Sequence, residues 1–174
     1  MSAIMPLRSQ EGRFMMSIAV AAVTLAANGF LVRHEVAIAA PPAKVYEALA
    51  ANVGAWWSSQ HTYSGDAANL SIDARAGGCF CERLKDGGGA EHMRVVFVAP
   101  NSAVRMSGAL GPLQAHGLAG SLTWRLVPAG DATTLVVTYS VGGFMDGGFE
   151  KIAPAVDGVL GEQVQRLKSY AEAK

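Results

Sequence analysis

The sequence predicts an α+β domain in which one curved antiparallel sheet wraps around a long carboxy-terminal helix. Apolar residues recur at helical spacing across residues 149–173, the only long segment with this periodicity. The residues before it alternate between apolar and polar side chains in short runs bounded by Gly, Pro or Asn, which is typical of strands. Because a sheet with one apolar face must cover that face, the apolar stripe of the helix is the matching surface.

Composition favours one domain whose partner is apolar or neutral. A chain of 174 residues, 51% of them hydrophobic, is ordinary for a single domain with a full core. The 14 basic side chains balance 14 acidic ones, and no basic run carries interleaved aromatic residues, which argues against a nucleic-acid partner. No Gly-rich phosphate loop, nucleophile elbow or pair of carboxylates stands out, so no cofactor is predicted.

The amino-terminal segment has the pattern of a secretory signal. Arg8 and Arg13 precede an uncharged apolar run at residues 14–27, which ends in small residues that a signal peptidase could cut. This run is shorter than the roughly 20 residues that a membrane-spanning helix needs. We therefore expect residues 1–28 to be a signal peptide or a disordered amino-terminal segment, and residues 29–174 to be the ligand-binding domain.

The expected location follows from this segment. Cleavage would leave a mature chain that begins near Asn28, in the periplasm or outside the cell. An uncleaved segment would be an interfacial helix, and any membrane contact would then run through it alone. If the segment is instead an artefact of an upstream start, the protein is expected to be cytoplasmic.

The first elements of the domain are a strand and short helices. Residues 30–38 alternate, with His34 on the apolar side, where a structural histidine bonded to a neighbour is the favoured interpretation. Residues 45–49 have helical spacing behind two prolines, which suit a helix start. A polar, Gly-containing loop follows the tryptophan pair and ends near Asn69, and such a loop can act as a lid.

Six further runs are predicted to be successive antiparallel strands, because each one alternates and ends at a turn rich in Gly, Pro or Asn. They are residues 70–75, 79–84, 90–98, 103–110, 118–127 and 133–141. Together with the first strand they make a sheet of about seven strands.

The hairpin between the second and third of these six runs decides which side chains face the helix. Closing Leu84 on Ala90 sets one register. It directs these residues toward the groove under the helix: Cys79, Cys81, Arg83, Glu91, Met93 and Val95. Glu82 and His92 then form a pair on the outer face. A slip of one residue would exchange the two faces.

The two cysteines, Cys79 and Cys81, lie two positions apart on one strand face. Strand rise alone would separate their α-carbons by roughly 6.5–7 Å, which is at the limit for a disulfide. We therefore interpret them first as small buried thiols, with a disulfide and a redox or intermolecular role as alternatives. A metal site completed by His61, His92 or His116 is less favoured, because C-x-C on a strand lacks the loop spacing of zinc sites, and no metal is predicted.

Local sequences resemble the SRPBCC superfamily. The stretch VRHEVAIAAPPAKVYEAL at residues 32–49 is similar to the opening of this superfamily, in which an apolar strand leads through Ala-Pro into a helix. The Trp56–Trp57 pair, the GGCFCERL strand and the closing helix resemble its polyketide cyclase and START-like branch. The resemblance covers residues 30–173. It implies the helix-grip fold, a curved antiparallel sheet wrapped on a long carboxy-terminal helix with two short helices after the first strand.

This resemblance also implies a ligand. Members bind lipids, polyketides, hormones or aromatic compounds between sheet and helix, and some are cyclases or hydrolases. We therefore expect the chain to bind a small hydrophobic or aromatic molecule, lipid-like or polyketide-like, in this cavity. The alternative is a polyketide cyclase-like or hydrolase-like enzyme with an acid–base residue. Its candidates are His34, Glu82, Glu91 and His92. A third hypothesis is an adaptor whose partner meets the helix at Gly158 and Gly161.

Seven residues are predicted to contact the ligand: Trp57, Cys81, Arg83, Glu91, Met93, Met106 and Gln163. Trp and Met side chains supply the adaptable apolar contacts of small-molecule pockets, whereas Trp124 is expected to fill the core. Arg83 and Glu91 either orient a polar ligand group or form a rim salt bridge of little energetic value. Gln163 projects within the apolar stripe of the helix. The favoured interpretation is an edge position that reaches solvent, and the alternatives are a hydrogen-bond partner or a wet cavity.

Overall fold

The computed structural model describes residues 20–173, which form one antiparallel sheet and three α-helices. The sheet has eight strands in the order β1-β2-β8-β7-β6-β5-β4-β3. Their bounds are β1 Val20–Ala26, β2 Gly29–Ile38, β3 Leu70–Ile72, β4 Cys79–Arg83, β5 Gly89–Ala99, β6 Ala103–Ser107, β7 Ala119–Ala129 and β8 Ala132–Gly142. Strands that follow one another in sequence are mostly neighbours, and β2 also lies next to β8, so that the sheet pairs its second strand with its last one.

The helices cover one face of this sheet. Their bounds are α1 Pro42–Ala51, α2 Val53–Trp56 and α3 Ile152–Ala173. The apolar stripe of α3 packs on the sheet through these buried residues: Ala153, Leu160, Gln163, Val164, Leu167 and Ala171. The predicted α+β helix-grip architecture is confirmed, including the two short helices after the first strand of the domain.

None of the helices among residues 20–173 combines the length and the hydropathy that crossing a membrane requires.

The strand count differs from the prediction of about seven, because β1 adds an eighth strand at the edge of the sheet. It forms within the run that the sequence marks as the core of a signal peptide, and it pairs with β2 from Ala26 opposite Gly29 to Val20 opposite Glu35. A short apolar run rich in β-branched residues has no period that distinguishes a strand from a signal segment. Signal cleavage stays a prediction, and residues 1–19 lie outside the described part of the chain.

The predicted β4–β5 register is wrong. Beside the hairpin Arg83 pairs with Gly89 rather than with Glu91, and β5 contains one extra residue further along the strand. Phe80 pairs with Met93, whereas the next residue, Cys81, pairs with Glu91, so that His92 is left over as a β-bulge. A bulge changes which residues of two strands share a face. Phe80 therefore shares the inner face with Met93, and the cysteines turn outward.

A second correction concerns the glycines of α3. Gly161 is not a docking surface for another protein, because His34 of β2 packs against it: a Cβ added there would lie 3.0 Å from the His34 Cε1 atom. The His34 Nε2 atom is 2.9 Å from Asp157 Oδ1, an electrostatic contact outside hydrogen-bond alignment. His34 is thus a structural histidine, as the sequence predicts. At Gly158 an added Cβ would meet no atom within 4 Å.

These two glycines make a matched stability test. We expect Gly158→Ala to raise the free energy of unfolding by about 0.5–1 kcal/mol, because Ala is the better helix former and nothing obstructs its methyl group. Gly161→Ala should raise the free energy of unfolding by about 0.5–1 kcal/mol less than Gly158→Ala does, because the His34 ring must move. Urea unfolding of both variants measures the difference.

The His34→Ala background supplies the control for this comparison. With the ring removed, Gly161→Ala should stabilise the helix as much as Gly158→Ala does. Equal effects of the two substitutions in the presence of His34 would contradict the packing argument.

Candidate functional site

A cavity of about 310 Å³ lies between α3 and the β4–β5 end of the sheet. Four parts of the chain line it: the segment after α2 (Trp57, Gln60, His61, Thr62 and Tyr63), the sheet (Leu70, Phe80 and His92), the β6–β7 connection (Leu110, Gly111, Pro112 and Leu113) and α3 (Ile152, Ala155, Val156, Val159 and Leu160). No Asp, Glu, Lys or Arg lines it among the described residues. The cavity therefore suits an uncharged, largely apolar molecule.

The covering loop, residues 57–64, closes the cavity between helix and sheet. Its Ser58 amide donates to Gln163 Oε1 at 2.8 Å, and the His61 Nε2 atom lies 3.0 Å from Glu162 Oε2, so α3 holds one side. The sheet holds the other side through a carboxylate described below. The sequence predicts this loop, and its attachment to both layers shows how it covers the cavity.

Glu82 is the carboxylate that joins the covering loop to the sheet. It is 2% exposed, and it accepts hydrogen bonds from the backbone amides of Tyr63, at 3.0 Å, and Ser64. Its Oε2 atom also lies 2.9 Å from the His92 Nε2 atom. Burial raises the pKa of Glu82, but the hydrogen bonds from Ser64, Tyr63 and His92 outweigh it and hold the pKa below its ordinary value.

The expectation that Glu82 and His92 face outward is therefore wrong. The bulge turns His92 inward next to Met93, and both side chains are buried. The imidazole stacks on the Tyr63 ring, with ring centroids 5.5 Å apart and 14° between the planes. The Phe80 ring lies 5.1 Å away on a tilted plane. Two aromatic rings and one carboxylate thus hold the imidazole at the cavity wall.

Trp57 lines the cavity, whereas the other tryptophans fill the core. The Trp57 ring meets Phe80 edge-on, with centroids 5.3 Å apart, and its Nε1 donates to the His61 carbonyl at 3.1 Å. Trp124 is buried beneath the helices, against Trp56 at 6.0 Å. The position expected for Trp124 is confirmed. That Trp57 contacts a ligand stays a prediction, which its position at the cavity supports.

The register correction removes three predicted contacts from the cavity. Arg83 is exposed on the outer face, and so is Glu91, which pairs with Arg94 at 2.6 Å rather than with Arg83. Cys81 also faces outward and forms a disulfide with Cys79, with α-carbons 5.4 Å apart. The preferred interpretation as buried thiols is wrong, because the two α-carbons are closer than in a regular extended strand.

The remaining predicted contacts lie beneath the cavity rather than on its wall. Met93 and Met106 are 1% exposed and belong to the core. Gln163 is fully buried, and both ends of its amide are bonded: Oε1 accepts from Ser58, and Nε2 donates to the Val159 carbonyl at 3.2 Å. The favoured interpretation of Gln163 as an edge position that reaches solvent is therefore wrong, and the side chain instead holds the covering loop through Ser58.

Sequence reasoning missed the wall residues Phe80, Tyr63 and Leu113. Phe80 stood on the wrong face of the predicted hairpin, and the other two lie in loops without a periodic signal. Residues 20–173 contain no group of three or more His, Cys, Asp or Glu side chains arranged to hold a metal ion.

Comparisons with known proteins agree with this architecture. A family described as polyketide cyclase / dehydrase and lipid transport matches residues 30–172. Comparison with curated protein sequences finds no match.

Three solved structures illustrate the fold. CalU16 from Micromonospora echinospora has a TM-score of 0.55 at 14% identity, over 88% of this chain and 83% of its own. DynU16, from the dynemicin biosynthetic locus, has a TM-score of 0.58 at 22% identity over 82% of this chain, which spans 47% of DynU16. A protein from Rhizobium leguminosarum has a TM-score of 0.60 at 19% identity, over 90% and 99% of the two chains. At these identities the likeness concerns the fold alone.

The Glu82 carboxylate should make the protein sensitive to acid. Because its pKa is below the ordinary 4.5 in the folded state, its contribution to stability is present at neutral pH. That contribution declines as the pH falls below the ordinary value and through the folded-state pKa. We expect Glu82→Gln to lower the free energy of unfolding by about 1–3 kcal/mol at pH 7, because one amide oxygen replaces two anionic acceptors. The loss should shrink toward pH 3, which urea unfolding at several pH values measures.

The exposed Glu47 provides the matched control, since Glu47→Gln should change neither the stability nor its pH dependence. An unchanged pH profile in Glu82→Gln would contradict the role assigned to this carboxylate. Hydrogen exchange of the Tyr63 and Ser64 amides gives a local measurement, and both should exchange faster in Glu82→Gln.

Proposed function

Because the chain belongs to the polyketide cyclase / dehydrase and lipid transport family, we propose that it binds one small hydrophobic or aromatic molecule, lipid-like or polyketide-like, between its sheet and α3. The cavity of about 310 Å³ carries this proposal. Leu, Ile, Val and aromatic side chains make most of its wall, and no charged side chain contributes to the wall among the described residues. Such a wall favours molecules that bury apolar surface.

The construction of the cavity supports a stored or selected ligand rather than a surface contact. The covering loop is bonded to both layers, through Gln163 on α3 and Glu82 on β4. A ligand under this loop loses contact with water wherever the loop, the sheet and α3 cover it, which is the arrangement of a small-molecule pocket.

A second candidate function is enzymatic, of the cyclase or hydrolase kind. The observation that favours it is the His92 imidazole, a titratable group with a buried carboxylate partner on a wall that is mostly apolar. Both candidate functions use the same cavity, so they differ in what happens to the molecule after it binds.

Export is also part of the proposal. A disulfide, Cys79–Cys81, is the form that cysteines take in an oxidising compartment such as the periplasm. Removal of the amino-terminal segment would also take few buried side chains from the core. The side chains of β1 are largely exposed, and its Val23 is the residue packed against the core. Cleavage near Asn28 would leave the pairing of β2 with β8 in place.

The binding proposal predicts that a neutral aromatic probe occupies the cavity. N-phenyl-1-naphthylamine should bind saturably, with a rise in its fluorescence. Val159→Trp should weaken binding at least tenfold, because the larger side chain fills the space beside α3, and Trp57→Ala should weaken it by removing an aromatic wall. Fluorescence titration measures both.

Val96→Trp is the matched control, because Val96 is 47% exposed on β5 away from the cavity. Its affinity for the probe should equal that of the wild type. Equal binding by Val159→Trp would place the probe elsewhere and contradict the proposal. In a separate measurement, native mass spectrometry of protein purified from its own source identifies the class of the natural ligand.

The export proposal predicts the mass of the mature protein. Expression of the complete gene in its own host should give a protein that begins near Asn28 and lies outside the cytoplasm. Intact-mass analysis of cell fractions checks this. A full-length protein that stays in the cytoplasm would contradict export without affecting the binding proposal.

A further inference from the structure

We propose that the protein is a proton-transfer enzyme in which His92 removes a proton from a carbon next to a carbonyl group of the bound molecule, with Glu82 as its positioning residue. This inference rests on the proposed function, because it assigns a reaction to a molecule held in the same cavity. The substrate class is an uncharged, mainly apolar or aromatic ketone. Its carbonyl end lies toward the sheet.

The first argument is the direction of the His92 ring. Its Nε2 atom is hydrogen-bonded to Glu82 at 2.9 Å. An ionised carboxylate only accepts hydrogen bonds, so Nε2 carries a proton, and in the neutral imidazole Nδ1 has the lone pair. The Nδ1 atom has no partner among the described residues and is not sealed from solvent, although the ring is buried in the cavity wall. In this proposal the Nδ1 lone pair is the group of His92 that meets the bound molecule.

The second argument is the way in which Glu82 is held. Its two oxygens accept from the Tyr63 and Ser64 amides of the covering loop as well as from His92. The carboxylate is thus fixed in the orientation that holds the imidazole, and it stabilises the positive charge that the imidazole acquires with a proton. The same covering loop closes over the cavity, so a closed cavity and an oriented base form together.

The third argument is the chemistry that the wall allows. No Ser, Cys or Lys lines the cavity among the described residues, and the Thr62 hydroxyl donates to the Ser59 carbonyl. A free hydroxyl of Ser or Thr, a thiol or a Lys amine, the commonest covalent nucleophiles, is therefore not among the described wall residues. An imidazole with one free nitrogen facing an apolar molecule can remove its most acidic proton, and in a ketone that proton is on the carbon next to the carbonyl.

The reaction step is balanced within the protein and the ketone. The C–H bond breaks, its electron pair stays on the ketone as an enolate, and the proton forms a bond with Nδ1. The resulting imidazolium faces the Glu82 carboxylate. It returns a proton to carbon, or exchanges it first with solvent, and the original charges are restored.

The other histidines show that this arrangement is specific. His34 also lies beside a carboxylate, Asp157, but it packs against α3 and does not line the cavity. His61 pairs with the partly exposed Glu162 at the mouth. His116 is exposed. His92 alone among the chain's 4 histidines combines a buried carboxylate partner with a place on the inner cavity wall.

The test uses 2-tetralone as the probe, because the hydrogens between its carbonyl and its aromatic ring are acidic. In deuterated buffer, ¹H NMR measures their exchange for deuterium with and without protein. The wild type should accelerate exchange above the buffer rate. His92→Phe, which keeps an aromatic ring against Tyr63, and His92→Gln, which keeps a donor to Glu82, should each lower the protein-dependent rate by about 10²-fold or more. His116→Phe should leave it unchanged.

Binding of 2-tetralone is measured in the same samples by quenching of tryptophan fluorescence. Binding without accelerated exchange, or equal exchange by folded His92→Phe and His92→Gln, overturns the catalytic inference and leaves the binding proposal intact. Absence of binding by the wild type overturns both. Urea midpoints establish that each variant is folded.

The positioning role of Glu82 has its own spectroscopic measurement. Long-range ¹H–¹⁵N NMR should show the His92 proton on Nε2 in the wild type, and a shift of that tautomer population in Glu82→Gln together with slower exchange of 2-tetralone. A merely structural role would change stability without moving the tautomer. A wild-type proton on Nδ1 would overturn the assignment of the base.

Discussion

The bulge at His92 is the feature on which the site depends. Without it, Phe80 would share a face with Arg94, and the apolar residues of β5 would lie opposite the cysteines. The extra residue lets Phe80 face Met93 on the inner side and turns the cysteines outward. It also places His92 beside Met93 in the interior. One inserted residue thus creates an apolar wall and brings an imidazole to it, which agrees with the occurrence of bulges next to functional sites.

A buried carboxylate is the cost of this arrangement, and its partners offset the cost. Moving a carboxylate out of water costs several kcal/mol unless donors replace its hydration. Glu82 accepts hydrogen bonds from two backbone amides and one imidazole, and each of these donors would otherwise need another partner. The covering loop is therefore ordered by the charge that it helps to bury. Loss of the covering loop would expose the Glu82 carboxylate, and loss of the carboxylate would leave the loop amides without their acceptor. The cover of the cavity and the acid–base pair therefore depend on each other.

The long helix contributes in two ways. Its apolar stripe covers the sheet, and its first turns form the cavity wall with Ile152, Val156 and Val159. Two other residues of α3 align the layers. Gln163 reaches the covering loop through Ser58, and Gly161 leaves room for His34. Both residues look unfavourable in a helix considered alone, and both have a partner across the layer boundary.

Sequence alone determined the fold class, the order of the strands from residue 30 onward, the closing helix and the covering loop. These follow from periodicity, turn residues and the matching of apolar faces, which are local properties of the chain. Trp57 at the cavity, Trp124 in the core and His34 as a structural residue could be placed in the same way. Tertiary structure alone decided the rest. Side-chain direction in a hairpin reverses with one residue, so the positions of Cys81, Arg83, Glu91 and His92 depended on a bulge without a sequence signal. The partner of Gln163 and the neighbour of Gly161 are distant in the chain, and only packing brings such groups together.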